Sequence, residues 1–346
     1  MASHELQFQD VIEAISSYRA YAGHFHSSVI TLIEQNKDVK CVEADSVWTA
    51  ATFVEQKAVG YGLSLISHRS DGATKDYIYD NSGGLGTYAY VVDSGINVEH
   101  RDFANNVNSG GRASLGYNAM KKVPFKDVSG HGTHIAGLIG GTEYGVAKKC
   151  NLIAVKVLQG GGAKGAVILD GFQWAVNDIL QKRLQSKAVI NVSVIGPYMQ
   201  AFNDAVDMAF NKGITTVAAA GNTGEKASTI SPGSADGAIT VAATDRNRQR
   251  ASFSNWGPAV NLFAPGVDIK SDSITKGGGG RYSTATLSGT SQASAYVAGL
   301  VLYHKRLQSL PDARKTMTYI MHTALKGVVR SPKATANLFA YNGSGK

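Results

Sequence analysis

Six short stretches of this chain are almost wholly apolar: TYAYVVDSG (87–95), NLIAVKVL (151–158), AVINVSVI (188–195), ITTVAAAGN (214–222), AITVAATD (238–245) and NLFAPG (261–266). A strand with one wet face alternates apolar and polar residues, whereas one covered on both faces reads as a continuous apolar run. Helical patterns separate several of these runs. ILDGFQWAVNDILQKRL is one, and YMQAFNDAVDMAFNKG, stopped by Gly213, is another. Buried strands alternating with helices predict an α/β fold on a mostly parallel sheet. Such sheets bind ligands beyond the carboxyl ends of their strands, and Asp93 and Asn222 stand at two of those ends.

The N-terminal part reads differently. Residues 4–48 are polar and charged, with a helical period over 28–36 that puts Val29, Ile30, Leu32 and Ile33 on one face. The segment closes on the strand-like KDVKCVEAD (37–45). Residues 49–86 read as mixed and loop-rich, with turn signals at Ser70-Asp71-Gly72 and Asn81-Ser82-Gly83-Gly84.

Composition narrows the function classes. Of 346 residues, 43% are hydrophobic and 17% charged, enough apolar side chain for a sizeable core. No apolar run approaches the ~20 residues of a membrane span, and the N-terminus lacks a basic-then-apolar leader pattern. Cys41 and Cys150 have no metal-type spacing and read as free thiols. The net charge is +8, densest at Arg246, Arg248 and Arg250. That cluster lacks interleaved aromatics, so it reads as a solvated basic turn with no nucleic-acid partner.

Three motifs can be set aside. Gly160-x-Gly162-x-x-Gly165 matches a dinucleotide fingerprint, but that fingerprint needs an acid at the end of the next strand. Here Asp178 falls inside the intervening helix instead. Gly289-Thr290-Ser291-Gln292-Ala293 resembles a lipase elbow, but His304 and His322 downstream lie in no motif. His131 and His134 are spaced i, i+3 without the intervening Glu of a zinc helix, so no metal site is expected there.

What remains joins three distant stretches. VVDSGI puts Asp93 at a strand end, SGHGTHIAG puts His131 just before a helical run at 133–139, and LSGTSQASAYVAGL puts Ser291 at the start of an apolar helix. A serine hydroxyl is a poor nucleophile without a base, and an imidazole base needs a carboxylate to fix its tautomer. The order Asp, His, Ser is that of the subtilisin type. The chain resembles the subtilisin family, in its proteinase-K-like branch of fungal secreted proteases. The resemblance rests on VVDSG, SGHGTHIAG, YGVAKKCNLIAVKVL, AAAGN, SFSNWG, FAPG and SGTSQAS, in family order between about Tyr61 and Tyr341.

The resemblance implies a three-layer α/β/α peptidase domain over 54–346, preceded at 1–53 by a partial α+β inhibitory propeptide. It implies a serine endopeptidase with Asp93 as acid, His131 as base, Ser291 as nucleophile and Asn222 as oxyanion donor. Substrate then pairs as a strand with Ser193, Val194, Ile195 and Gly196 on one side and Gly162, Ala163 and Lys164 on the other. His134 becomes a structural residue. The expected partners are a protein or peptide substrate and the chain's own propeptide, the latter cut off near the Phe53–Val54 bond. A secreted monomer that requires no cofactor is implied.

Four departures from the family stand out. Ile195 replaces a glycine against which substrate backbone lies, which narrows the pocket for the residue before the cut. Gln292, Ala295 and Tyr296 change the packing behind Ser291. Ala166 replaces an aromatic residue, opening a distant subsite. Asn261 replaces a calcium-binding Asp; carbonyls around Asp236 and Ala238 remain as donors, but an amide binds a hard cation less well. The changes at Ile195 and in the helix after Ser291, with the partial propeptide, motivate an alternative, a protease-like binding or scaffold protein with little or no turnover.

Overall fold

The computed structural model describes residues 10–15, 18–23, 25–42, 53–70, 75–104, 111–160, 162–275 and 279–346. The chain divides into two units, Met1–Ala51 and Thr52–Lys346. The first holds an antiparallel hairpin, Asp10–Ile15 with Tyr18–Ala22, and the helix Ser27–Glu34. His26 caps that helix through Nδ1, which accepts Ser28 N–H. None of its residues is buried, and Leu32 is 67% exposed. The strand expected at 37–45 is not formed at 37–42, and 43–45 lie outside the described residues. Asn36 diverts the chain into a turn there: its side chain accepts Asp38 N–H and its carbonyl accepts Val39 N–H.

The second unit is built on a nine-stranded sheet. Its order runs Leu325–Lys326, Leu338–Phe339, Leu262–Pro265, Ala238–Thr244, Thr215–Ala219, Ala188–Val192, Tyr88–Asp93, Asn151–Lys156, Ala113–Asn118. Every adjacent pair is parallel except Leu325–Lys326 with Leu338–Phe339. All six apolar runs became strands of this sheet. The sheet is covered on both faces, as continuous apolar runs require. Ala89 and Val91 pack with the helices His131–Gly140 and Thr290–Leu307, while Tyr90 and Val92 pack with Gly165–Gln181 and Gln200–Asn211. The result is a three-layer α/β/α fold. Among the described residues, no helix is long and apolar enough to cross a membrane.

Two local readings are corrected and one is made definite. The mixed, loop-rich segment 49–86 holds regular elements. Phe53–Gln56 pairs with Tyr77–Asp80, and Tyr61–Ser67 is a helix with six buried residues. That helix holds two serines and a glycine, weak helix formers, and tertiary packing makes it. A Cβ at Gly62 would strike the ring and hydroxyl of Tyr296, so the unusual tyrosine is matched by a glycine. His131 is the first residue of its helix, not its predecessor. Finally, Arg248 is 1% exposed; its guanidinium donates to the carbonyls of Arg69 and His68 and lies over the Phe339 ring.

Candidate active site

Asp93 ends the strand where the chain changes direction. From it the chain goes to the far edge strand Ala113–Asn118, returns through Asn151–Lys156 on one side, and resumes at Ala188–Val192 on the other. The connections diverge there and leave a crevice at the carboxyl ends. Asp93 is fully buried and accepts Ser94 N–H at 2.7 Å.

His131 opens its helix directly above. Its Nδ1 lies 2.8 and 2.9 Å from the two Asp93 oxygens, and its side chain is 29% exposed. A carboxylate can only accept, so Nδ1 carries the proton and Nε2 is left as the basic nitrogen. Burial pulls the imidazole pKa down, but the charge and hydrogen bond of Asp93, with the charge of Asp127, outweigh it and raise it above 6.5. The glycines around the histidine are spatial requirements. Gly130 adopts φ +85°, and a Cβ at Gly132 would drive into the Gly95 carbonyl.

Ser291 is the second residue of the helix Thr290–Leu307 and is 6% exposed. Its hydroxyl donates to the Ser193 carbonyl at 3.0 Å, so in this state it is turned to the neighbouring strand end rather than to His131. Asn222 is exposed at the end of the strand Thr215–Ala219 and its loop. Its Oδ1 accepts both the N–H and the hydroxyl of Thr290 at 2.9 Å, which fixes the amide with Nδ2 as the outward donor. Gly221, at φ +105°, lets this loop press against Asn255, whose Oδ1 accepts Thr223 and Glu225 N–H.

The two expected substrate segments are both in this second unit. Ser193 and Val194 are buried, Ile195 and Gly196 half-buried, and Gly196–Pro197 pairs antiparallel with Ile230–Ser231. Gly162 and Lys164 are exposed, and Ala163 is half-buried against the core of that face. Ser193 Oγ also ties to the nucleophile helix, with Ser294 Oγ at 3.0 Å and the Ser291 carbonyl at 3.3 Å.

Sequence reasoning missed the support beneath the histidine. Asp127 is fully buried and accepts five hydrogen bonds, from Ser94 Oγ, Ser129 N, Gly130 N, Thr133 N and Thr133 Oγ. It therefore caps the His131–Gly140 helix, whose N-cap position is a glycine. Ser94 links the parts: its N–H goes to Asp93, its hydroxyl to Asp127, and its oxygen accepts Gly132 N–H at 2.9 Å. Lys156, register partner of Asp93, is buried and donates to the carbonyls of Ser94 (2.7 Å) and Leu158 (2.9 Å). The signal was present, since Asp127 stands four residues before His131, but only the fold shows where its donors come from.

The other candidates fall into place. His134 is buried and donates Nε2–H to the Ile269 carbonyl; burial takes its pKa down to about 4, so it is neutral. Cys41 and Cys150 are free, and burial pushes the Cys150 thiol up to about 12. Asn261 Oδ1 is already engaged by Thr240 N–H at 2.7 Å. Among the described residues, no three His, Cys, Asp or Glu side chains could hold a metal ion.

Comparison with known proteins agrees with this geometry. The sequence model of the subtilase family, peptidase S8, matches residues 84–344. Alkaline protease 1 of Aspergillus oryzae is 47% identical over 330 residues, covering 95% of this chain and 79% of that protein. Alkaline proteinase of Hapsidospora chrysogena is 44% identical over 343 residues, covering 96% and 82%. The crystal structure of a cold adapted subtilisin-like serine proteinase superposes with a TM-score of 0.75 at 33% identity, covering 83% of this chain and 99% of that one.

Proposed function

Given that this chain belongs to the subtilase family and is a serine endopeptidase of the subtilisin type, we propose that Ser291 is its nucleophile, His131 its general base and Asp93 the carboxylate that orients the base. The supporting observation is the Asp93–His131 pair, which leaves Nε2 as the basic nitrogen, together with an Asn222 amide whose oxygen is engaged by Thr290 so that its Nδ2 is the donor.

A peptide enters as a strand between residues 193–196 and 162–164. Its backbone N–H competes for the Ser193 carbonyl that now holds the Ser291 hydroxyl, so binding frees the nucleophile to turn toward His131. Oγ attacks the scissile carbonyl as Nε2 takes its proton. The oxyanion is received by Asn222 Nδ2 and Ser291 N–H at the positive end of the helix. The leaving amine then takes the proton from Nε2, and a water, deprotonated by the same nitrogen, hydrolyses the acyl-enzyme. No step passes through a metal. Replacing Asn222 by Ala should lower turnover on the order of 10²–10³-fold, a magnitude set by subtilisin itself.

Ile195 narrows the pocket for the residue before the cut, favouring small side chains. Ile195→Gly should raise kcat/KM for bulky residues there more than for alanine. Residues 1–53 act as a propeptide removed near the Phe53–Val54 bond, and the mature enzyme is a secreted monomer. The comparisons do not favour a binding protein without turnover.

The test is caseinolysis by the expressed chain beside Ser291→Ala, with labelling by a fluorophosphonate. Activity and labelling that both vanish in the variant support the assignment. A folded parent that neither cleaves nor labels would overturn it.

A further inference from the structure

Behind the histidine helix lies a second acid that the reaction does not use. The hairpin Ile269–Asp272/Thr284–Leu287 runs into Ser288, Gly289 and the nucleophile helix. It also grips the histidine helix. His134 donates to the Ile269 carbonyl, Ser271 Oγ donates to the His134 carbonyl, and a Cβ at Gly137 would lie 2.7 Å from Asp272 Oδ2. Asp272 is fully buried, and neither of its oxygens has a hydrogen-bond donor.

Its surroundings offer only acceptors. His100 Nε2 donates to the Ser283 carbonyl, and its Nδ1 accepts Asp102 N–H; the ring is therefore neutral, with a lone pair on the nitrogen 3.5 Å from Asp272 Oδ1. The Asp102 carboxyl is within hydrogen-bonding reach. Its Oδ1 accepts Glu143 N–H at 2.7 Å and its Oδ2 accepts Tyr144 N–H at 3.4 Å. The cations nearby are engaged elsewhere. Arg112 donates to the carbonyls of Gly140, Cys150 and Asp102 and to Thr142 Oγ. Lys148 donates to the carbonyls of Thr142 and Glu143, Arg101 pairs with Glu143, and Lys270 lies over the Tyr144 ring. A carboxylate here would have no partner, whereas a carboxylic acid would donate to Asp102.

We propose that Asp272 carries a proton shared with Asp102 in the folded enzyme, and that this proton sets an alkaline limit on the hairpin that joins the histidine and nucleophile helices. Burial, then the charge and hydrogen bond of Asp102, then Glu143, outweigh Arg112 and raise the Asp272 pKa to about 9. Between its ordinary value of 3.8 and about 9, the folded chain holds a proton that the unfolded chain has lost. Stability from this group is therefore fully present below the lower value, falls as pH rises through the window, and levels above it. The loss would leave two carboxylates face to face inside the protein.

The test is Asp272→Asn in the full chain, in a Ser291→Ala background so that self-cleavage does not intervene. An asparagine amide supplies a permanent donor to Asp102. Chemical denaturation is followed from about pH 5 to about pH 10. The folding constant of the parent relative to the variant should fall by about tenfold per pH unit, then level near 9. Asp272→Ala, which removes the charge without adding donors, should show the same slope. Carbon NMR of the Asp272 carboxyl in the parent reads the proton directly. Titration with the ordinary carboxyls near 4, or a pH-independent difference between parent and variants, would overturn the proposal. Both readouts are taken without a live nucleophile, so their outcome is separate from the triad assignment.

Discussion

Asp127 and Asp272 flank the same helix and are both fully buried, yet they are opposite environments for a carboxyl group. Asp127, at the helix start, is met by five donors, and the charges it faces include the Lys156 ammonium. Asp272, beside the middle of the helix, is met by none. Burial penalises a charge in both places, but only donors or counter-charges can repay it. The reacting end of the helix is built around a fixed anion. The supporting end is built around an acid whose proton can leave.

Removing the fixed anion should be the most destabilising change. Asp127→Ala leaves the buried N–H groups of Gly130 and Thr133 without their acceptor. An expected loss on the order of 3 kcal/mol follows from the usual penalty for stranded buried donors, read by urea denaturation in the Ser291→Ala background. Survival of the helix start without that loss would break the comparison.

The same conservative change at the two acids should then act with opposite sign. Asp127→Asn turns an amide NH₂ toward backbone N–H groups that can only donate, those of Ser129 and Gly130 or that of Thr133, and should destabilise by about 1–3 kcal/mol. Asp272→Asn supplies donors where only acceptors face it, and should stabilise increasingly toward pH 9. Asp127→Asn also carries a kinetic signature. In its proposed role as base His131 must be neutral, so kcat/KM should rise as pH climbs through its raised pKa. The Asp127 charge contributes to that raising. Its removal should move the acidic limb of the pH profile to lower pH, and an unmoved limb would remove Asp127 from the electrostatics of the site.

The residues proposed to react are far more legible in the sequence than those that hold them. Asp93, His131, Asn222 and Ser291 sit where apolar runs stop or glycines gather, because strand ends and tight turns are local features that leave a local pattern. Ser94, Asp127 and Lys156 depend on register. Lys156 lies beside Asp93 only because Tyr88–Asp93 pairs with Asn151–Lys156, and no spacing along the chain announces that. Arg248 misleads for the same reason. Among Arg246 and Arg250 it reads as a solvated charge, but carbonyls brought from residues 68 and 69 bury it. The helix Tyr61–Ser67 is stabilised by partners such as Tyr296, more than 200 positions away in the chain, and has no helical signature of its own.

The smallest expected effect sharpens the comparison most. Ser94→Ala leaves both acids in place and removes one hydroxyl, which joins Asp127 to the Gly132 N–H beneath His131. Asp127 keeps four donors, so the stability loss should be only about 1 kcal/mol. Asp93 keeps the Ser94 backbone N–H, so its charge and the position of the acidic limb should hold. What loosens is the first turn of the helix that carries the base. Turnover should therefore fall while KM stays close to that of the parent, because the Ser94 hydroxyl is bonded to Asp127 and Gly132 and not to the proposed substrate segments at 162–164 and 193–196. A drop in kcat at constant KM and constant pH profile would show that the donors around Asp127 serve geometry as well as charge. A shifted limb would mean that the hydroxyl tunes the charge itself.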